Sequence, residues 1–158
     1  MALRSVVVIV FAIALSLLQQ PAFGGDSGLI TKPSKYSVSD TIERFEVAVK
    51  AKGWVVFTRV DHAAAAAKVG LQLRPRTVVV FGNPKLGTEP MEKAPTLAID
   101  NPLKALVWQD DQGKVWLTYN SGAYQADYIY PRHGLPGSPE MRKNLEQFLD
   151  AVSEEATK

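Results

Sequence analysis

Four polar residues in this chain stand where chemistry could be done. His62 follows Asp61 at the end of a β-branched, aromatic run and opens an alanine-rich segment. An imidazole at such a strand-to-helix junction can serve as a general base or as a ligand contact. Its bland alternative is that Asp61 caps the helix and His62 fills the first turn. Asn83 and Lys85 flank Pro84, just after the run Thr77-Val78-Val79-Val80-Phe81-Gly82. A strand that turns into a helix N-terminus presents backbone N–H groups to an anion, and Lys85 adds positive charge. Glu89 and Pro90 work against that, and no glycine-rich phosphate loop occurs. Asp100 precedes Asn101-Pro102, where a cap or turn role competes with a ligand role. If strand ends converge, His62, Asn83, Lys85 and Asp100 line one pocket.

Other chemistries find little support. The chain has two histidines and no cysteine, so a thiol nucleophile, a disulfide and a thiolate metal site are excluded. His62 and His133 have no close ligand spacing, so no metal and no cofactor is expected. His133, in Arg132-His133-Gly134, reads as a solvated loop residue. No nucleophile-elbow pattern occurs. Tyr124, Tyr128 and Tyr130 read as core and edge packing.

The elements that must position these residues follow from periodicity. Val78 to Phe81 is apolar on both faces and predicts a buried central strand. Gly82-Asn83-Pro84 ends it, and Thr88 is the expected N-cap of a short helix reaching about Lys93. Before it, Leu29-Ile30-Thr31 predicts a short strand ended by Pro33. Ser37, with Asp40 in support, caps a helix striped by Val38, Ile42, Phe45 and Val49 and ended by Gly53. Glu43, Glu46, Lys50 and Lys52 form its solvated face. Trp54 to Val60 is a strand. Asp61 caps an alanine helix, Ala63 to Val69, small enough to pack close to the sheet.

After a turn at Pro95 to Ile99, Leu103 to Gln109 and Lys114 to Asn120 make a hairpin around Asp110-Asp111-Gln112-Gly113. Trp108 pairs with Trp116 across it. The stretch Ser121 to Tyr130 is ambiguous. Ser138-Pro139 starts the clearest amphipathic helix, carrying Met141, Leu145, Phe148, Leu149 and Val152. The mixture predicts an α+β domain with a largely antiparallel sheet packed against helices.

Phe81-Gly82-Asn83-Pro84-Lys85, with Gly87-Thr88 behind it, resembles the signature of domain of unknown function family 302. Val60-Asp61-His62, Gly70, Pro75, Met91, Asp100, Pro102 and the hairpin Val107-Trp108-Gln109-Asp110 with Gly113-Lys114-Val115 are similar to the family's pattern. The likeness covers about Ser37 to Tyr124. It departs at Asn101 and Lys104, where members more often carry leucine and arginine. The resemblance implies a compact α+β domain and a homodimer, and it implies no known chemistry.

The N-terminus reads differently. Arg4 gives a positive start, Val6 to Leu18 is apolar, and Ala22-Phe23-Gly24 is small-sided. Residues 1–24 are therefore expected to be a signal peptide cleaved near Gly24–Gly25, giving a periplasmic or secreted protein with no membrane contact after cleavage. An uncleaved anchor is the alternative. The 18 basic and 16 acidic residues are scattered, which predicts no nucleic-acid partner. The expected organisation is a leader and short strand at 25–36, one domain at 37–152 with its C-terminal helix at 138–152, and a frayed tail at 153–158. The first functional reading is non-catalytic binding of a small ligand, an anion among the candidates, by His62, Asn83, Lys85 and Asp100. Two alternatives stay open: an enzyme with His62 as general base and Lys85 or Asn83 stabilising negative charge, and a purely structural or interaction subunit.

Overall fold

The computed structural model describes residues 27–158, so the expected signal peptide and its cleavage point lie outside the described residues. Strand β1 (Leu29–Ser34) leads to helix α1 (Val38–Ala51), then β2 (Val55–Asp61), α2 (His62–Lys68) and β3 (Arg76–Gly82). Helix α3 (Pro84–Lys93) and a 3-10 turn (Pro95–Ile99) precede β4 (Leu103–Gln109) and β5 (Val115–Asn120). Helix α4 (Gly122–Tyr124) passes through a π turn (Gln125–Ile129) into α5 (Tyr130–Arg132), and α6 (Pro139–Thr157) closes the chain. No helix among the described residues is long and apolar enough to cross a membrane.

The five strands form one sheet in the order β1-β5-β4-β3-β2, every pair antiparallel. The expected α+β class is therefore observed. β1 and β2 lie on opposite edges, so α1, which joins them, crosses one face of the sheet. Helix α6 packs beside α1 on that face, and the two cover a single core. The side chains that meet there are Ile42, Phe45 and Val49 from α1, Val79 and Phe81 from β3, Val107 and Leu117 from the hairpin, and Leu149 and Val152 from α6.

The alternation along β3 corrects the reading of a doubly buried strand. Thr77, Val79 and Phe81 are buried, whereas Val78 and Val80 are only half-buried. An antiparallel sheet needs only one covered face, and here Val78, Val80, Leu106, Trp108 and Trp116 lie on the other. On that open face Trp108 and Trp116 stack at 6.1 Å, as the hairpin register requires. Their indole N–H groups donate to Thr118 and Asp110.

Several element ends also differ from expectation. Pro33 lies inside β1, which tolerates it because an edge strand can leave that position unpaired. The tail does not fray: α6 runs to Thr157, Ala156 and Thr157 are buried, and Lys35 N–H donates to the Thr157 carbonyl. The alanine helix α2 buries no residue, so its small side chains do not bring it tightly onto the sheet. The Ser37, Asp61 and Ser138 caps are each confirmed by a side chain accepting from the third backbone N–H beyond it.

Glu46, expected on the solvated face of α1, is buried. Arg59 of β2 reaches it with Nε, and Lys50 stands one turn along α1. The Arg59 hydrogen bond, aided by the nearby positive charges, holds the Glu46 carboxyl below its ordinary value of 4.5 although burial opposes this. A carboxyl lowered in the folded state stabilises above its unfolded value and loses that contribution as pH falls through its folded one. Replacing Glu46→Gln should therefore flatten the acid limb of a urea-unfolding series below about pH 5. An acid limb as steep as the wild type's would show that Glu46 is not the group responsible.

Candidate functional site

One large cavity opens where β3 leaves the sheet. Its volume is about 870 Å³, within the range of small-molecule sites. Three parts of the chain wall it. The first is the turn Gly82-Asn83-Pro84 with Leu86 and Met91 of α3; the second is Asn101-Pro102. The third is α6, through Met141, Leu145 and Phe148, with Trp54, Phe57, Gln125 and Tyr130 completing the lining. Trp54 stacks on Phe148 at 3.9 Å and 14° between planes, so one wall is a flat aromatic pair continuous with the core.

The local sequence explains this geometry. Asn83 is extended and its side chain accepts from Lys85 N–H at 3.0 Å, which makes it the N-cap of α3, with Pro84 at the first helical position. This corrects the expected cap at Thr88, which instead lies within α3 and donates to the Pro84 carbonyl. Gly82 suits a close approach: a Cβ there would sit 3.2 Å from the Phe57 ring and 3.3 Å from Pro102 Cβ, tighter than ordinary contact. Gly137 is stricter still, since a Cβ would collide with the Ala126 carbonyl, so the loop before α6 lies directly on the π turn.

The lining is apolar with a few polar groups of uneven standing. Its charged members are Glu89 and Glu140, both acidic, and no lysine, arginine or histidine is among the lining residues. Glu89 pairs with Lys93 at 2.7 Å. Glu140 stands in the first turn of α6, where the helix dipole favours it. Burial pushes the Tyr130 phenol above its usual range, so it remains a neutral hydroxyl at neutral pH. Gln125 is 4% exposed, and its Oε1 has no hydrogen-bond partner among the described residues.

The four residues singled out by sequence do not meet. Asp61 pairs with Thr77 and Val55 with Gly82, so His62 and Asn83 occupy opposite ends of the β2–β3 pair, roughly 20 Å apart. Lys85 is exposed and is not among the lining residues. Asn83 lines the cavity. Asp100 stands behind the wall: its Oδ2 meets His133 Nε2 at 2.7 Å and Arg132 Nη1 at 3.3 Å.

His133, expected to be solvated, has a side chain only 5% exposed. Its Nδ1 lies 2.9 Å from the Thr96 hydroxyl. Both ring nitrogens are thus engaged, Nε2 with the Asp100 carboxylate and Nδ1 with the Thr96 hydroxyl. Hydroxyl, imidazole and carboxylate in a row resemble a nucleophile relay. None of the three lines the cavity, so the row acts as a clamp that ties the 3-10 turn and the Asn101-Pro102 turn to α5. Lys104 completes it by donating to the Asp100 and Pro102 carbonyls at 2.8 and 3.0 Å. Among the described residues no group of three His, Cys, Asp or Glu could hold a metal ion.

Sequence reasoning missed Gln125, Tyr130 and the aromatic pair. The available signal was a lone glutamine between apolar residues in an otherwise unassigned segment.

The clamp makes a measurable demand. Asp100→Ala leaves the enclosed His133 N–H without an acceptor and should cost about 1–3 kcal/mol in urea unfolding. His133→Ala should cost a similar amount, and the double variant should lose clearly less than the two added together. Strict additivity would show that the pair does not act as a unit.

Comparison with known proteins agrees with this architecture. The profile described as "Domain of unknown function DUF302" matches residues 30–152, a span that contains every lining residue of the cavity. A solved structure described as an uncharacterized conserved protein DUF302 from Bacillus stearothermophilus superposes with a TM-score of 0.68 at 18% identity, covering 82% of this chain and 98% of its own. That likeness concerns the fold alone. Among curated proteins, "Fluoride-specific ion channel FluC 1" of Brucella suis biovar 1 (strain 1330) is 48% identical over 110 residues, 70% of this chain and 42% of its own length. The protein of the same name in Brucella abortus biovar 1 (strain 9-941) is 48% identical over 110 residues, 39% of its length. The chain thus spans about two-fifths of the curated relatives it matches.

Proposed function

This chain belongs to the DUF302 family, a domain of unknown function, and we propose that it is an exported, non-catalytic binding domain for a small apolar molecule. The observation that carries this reading is the cavity of about 870 Å³ beside the signature turn, walled by the Trp54–Phe148 stack, Phe57, Met91 and Leu145. A site of that size with an apolar lining and few polar groups is what small ligands occupy.

The anion preference suggested by Lys85 is set aside. The charged lining residues are glutamates, and Lys85 is exposed and outside the lining. The same electrostatics make the cavity a poor host for fluoride, the ion for which the Brucella relatives are named. In those longer proteins we read the related segment as an accessory binding module.

Nile red, a neutral apolar dye, tests the reading. It should bind saturably at one site per chain, and Leu145→Trp, which narrows the cavity, should clearly weaken binding while leaving the protein folded. His62→Ala and Lys85→Ala should leave the titration as it is. No saturable binding to the folded protein, or equal binding after Leu145→Trp, would overturn the assignment.

Export and self-association complete the proposal. The charged start, apolar stretch and small-sided end of residues 1–24 support removal of a signal peptide. The open sheet face, with Trp108, Trp116, Leu106, Val78 and Val80, supports a second copy stacking there, as paired sheets do at about 10 Å. Native mass spectrometry of the exported fraction should give a chain beginning near Gly25 and twice its mass for the assembly. A full-length chain would refute cleavage, and a monomer at micromolar concentration would refute the dimer.

A further inference from the structure

The cavity opens through a mouth that water suits poorly. Phe57 and Leu86 line it, yet they are 50% and 61% exposed, so both stand where it meets solvent. Ile99 is 75% exposed and lies two residues before Asn101 of the lining. Val55, exposed as well, pairs with Gly82 of the same wall. Large apolar side chains gathered around one opening mark a contact surface. Leu71 and Leu73, exposed at the other end of β3, are not in the lining.

What covers the mouth follows from where the chain enters the domain. The strand register brings Leu29, Asn120, Leu103, Gly82 and Val55 to one end of the sheet, the end at which the cavity opens. The chain reaches that end through Gly28, whose carbonyl accepts from Ser121 N–H. On the export proposed above, the apolar run 6–18 engages the membrane before cleavage. Residues 19–26 join it to Ser27 and span at most about 30 Å. The domain is therefore delivered with its cavity end toward a bilayer.

We propose that the cavity mouth docks on a lipid bilayer and that the ligand is a neutral apolar molecule dissolved there, which enters the cavity without crossing water. This departs from the expectation of no membrane contact after cleavage. A molecule apolar enough to fill the cavity is held by hydrocarbon far more strongly than by water. Its concentration in solution is then small, and a direct path favours capture. Apolar side chains seated in the headgroup boundary bind in proportion to the area they bury. Charge adds little, because Lys85 and Lys93 of α3 are offset by Glu89 and Glu140 of the lining. The attraction is therefore insensitive to salt.

This inference rests on the proposed apolar-ligand site, and the experiment separates the two. The mature exported chain is floated with phosphatidylcholine vesicles, and it should float in low and in high salt. Ile99→Ser should weaken flotation about tenfold, the ratio expected when one apolar side chain no longer contributes, and leave the Nile red titration in solution as it is. Leu86→Ser should weaken flotation too, whereas Leu71→Ser should not. The chain should also speed transfer of decylpyrene from donor to acceptor vesicles, read as loss of excimer emission. The added rate should grow with acceptor concentration, as transfer by contact requires, and Leu145→Trp should float normally but lose most of it.

No flotation on phosphatidylcholine, or flotation that needs phosphatidylglycerol and disappears in salt, would overturn the docking. Wild-type flotation of both Ile99→Ser and Leu86→Ser would do the same. If Ile99→Ser instead turns a dimer into monomers in native mass spectrometry, the mouth belongs to a second copy and the bilayer is excluded as its partner. An added rate that is absent, or independent of acceptor concentration, would overturn the bilayer as the ligand's source. A chain that floats but binds no Nile red in solution would remove the cavity reading and leave the docking surface standing.

Discussion

Phe81 is the residue on which the rest of the structure depends. It is fully buried at the last covered position of β3 and meets Phe45 of α1 edge-on at 5.2 Å. Trp54 and Phe148 each lie 6.3 Å from it, and they stack on one another. Four aromatic rings therefore join strand, crossover helix and C-terminal helix at one point. Edge and offset contacts of this kind add to the area they bury. The residue after Phe81 is Gly82, whose missing side chain lets Phe57 and Pro102 close in. The core thus ends and the cavity begins within one peptide unit, and the aromatic pair belongs to both.

That sharing gives α6 two different tasks along its length. Its C-terminal half places Leu149, Val152 and Ala156 in the core. Its N-terminal half places Met141, Leu145 and Phe148 along the cavity. A helix anchored at one end by packing holds its other end against an opening without needing contacts across it. The clamp of Asp100, His133 and Thr96 does the same for the facing wall, from outside the cavity. Both walls are set by interactions outside the cavity, so their positions do not depend on contacts across it.

The frame was legible in the sequence because its signals are local. Ser37, Asp61 and Ser138 cap helices through their own side chains, and the hairpin around Gly113 follows from turn chemistry. The α3 start lies at Asn83 and not at the expected Thr88, because Thr88 with Pro90 and Asn83 with Pro84 carry the same cap-and-proline signal and the earlier one nucleates the helix, with Pro90 accommodated inside it. The continuous valine run misled for a related reason: periodicity reports that both faces are apolar, not that both are covered. The site was less legible. Of the four residues named, Asn83 lines the cavity and Asp100 supports it from behind, while His62 is carried to the far end of the sheet by strand direction alone. Gln125 escaped because its burial, and the lack of a partner for its Oε1 among the described residues, show only in three dimensions.

A family likeness can fix positions without fixing their roles. Asp100 and the turn at Pro102 match the family pattern, and here they hold one wall of the cavity. Lys104 departs from that pattern, yet its ammonium secures the same turn through two carbonyl oxygens. Lysine does this as a rotatable point donor, where a guanidinium would impose a planar fork. Lys104 therefore braces the wall without being part of the lining. In the reading proposed above, what the cavity binds is set by its lining and the Trp54–Phe148 pair, not by the residues that brace its walls.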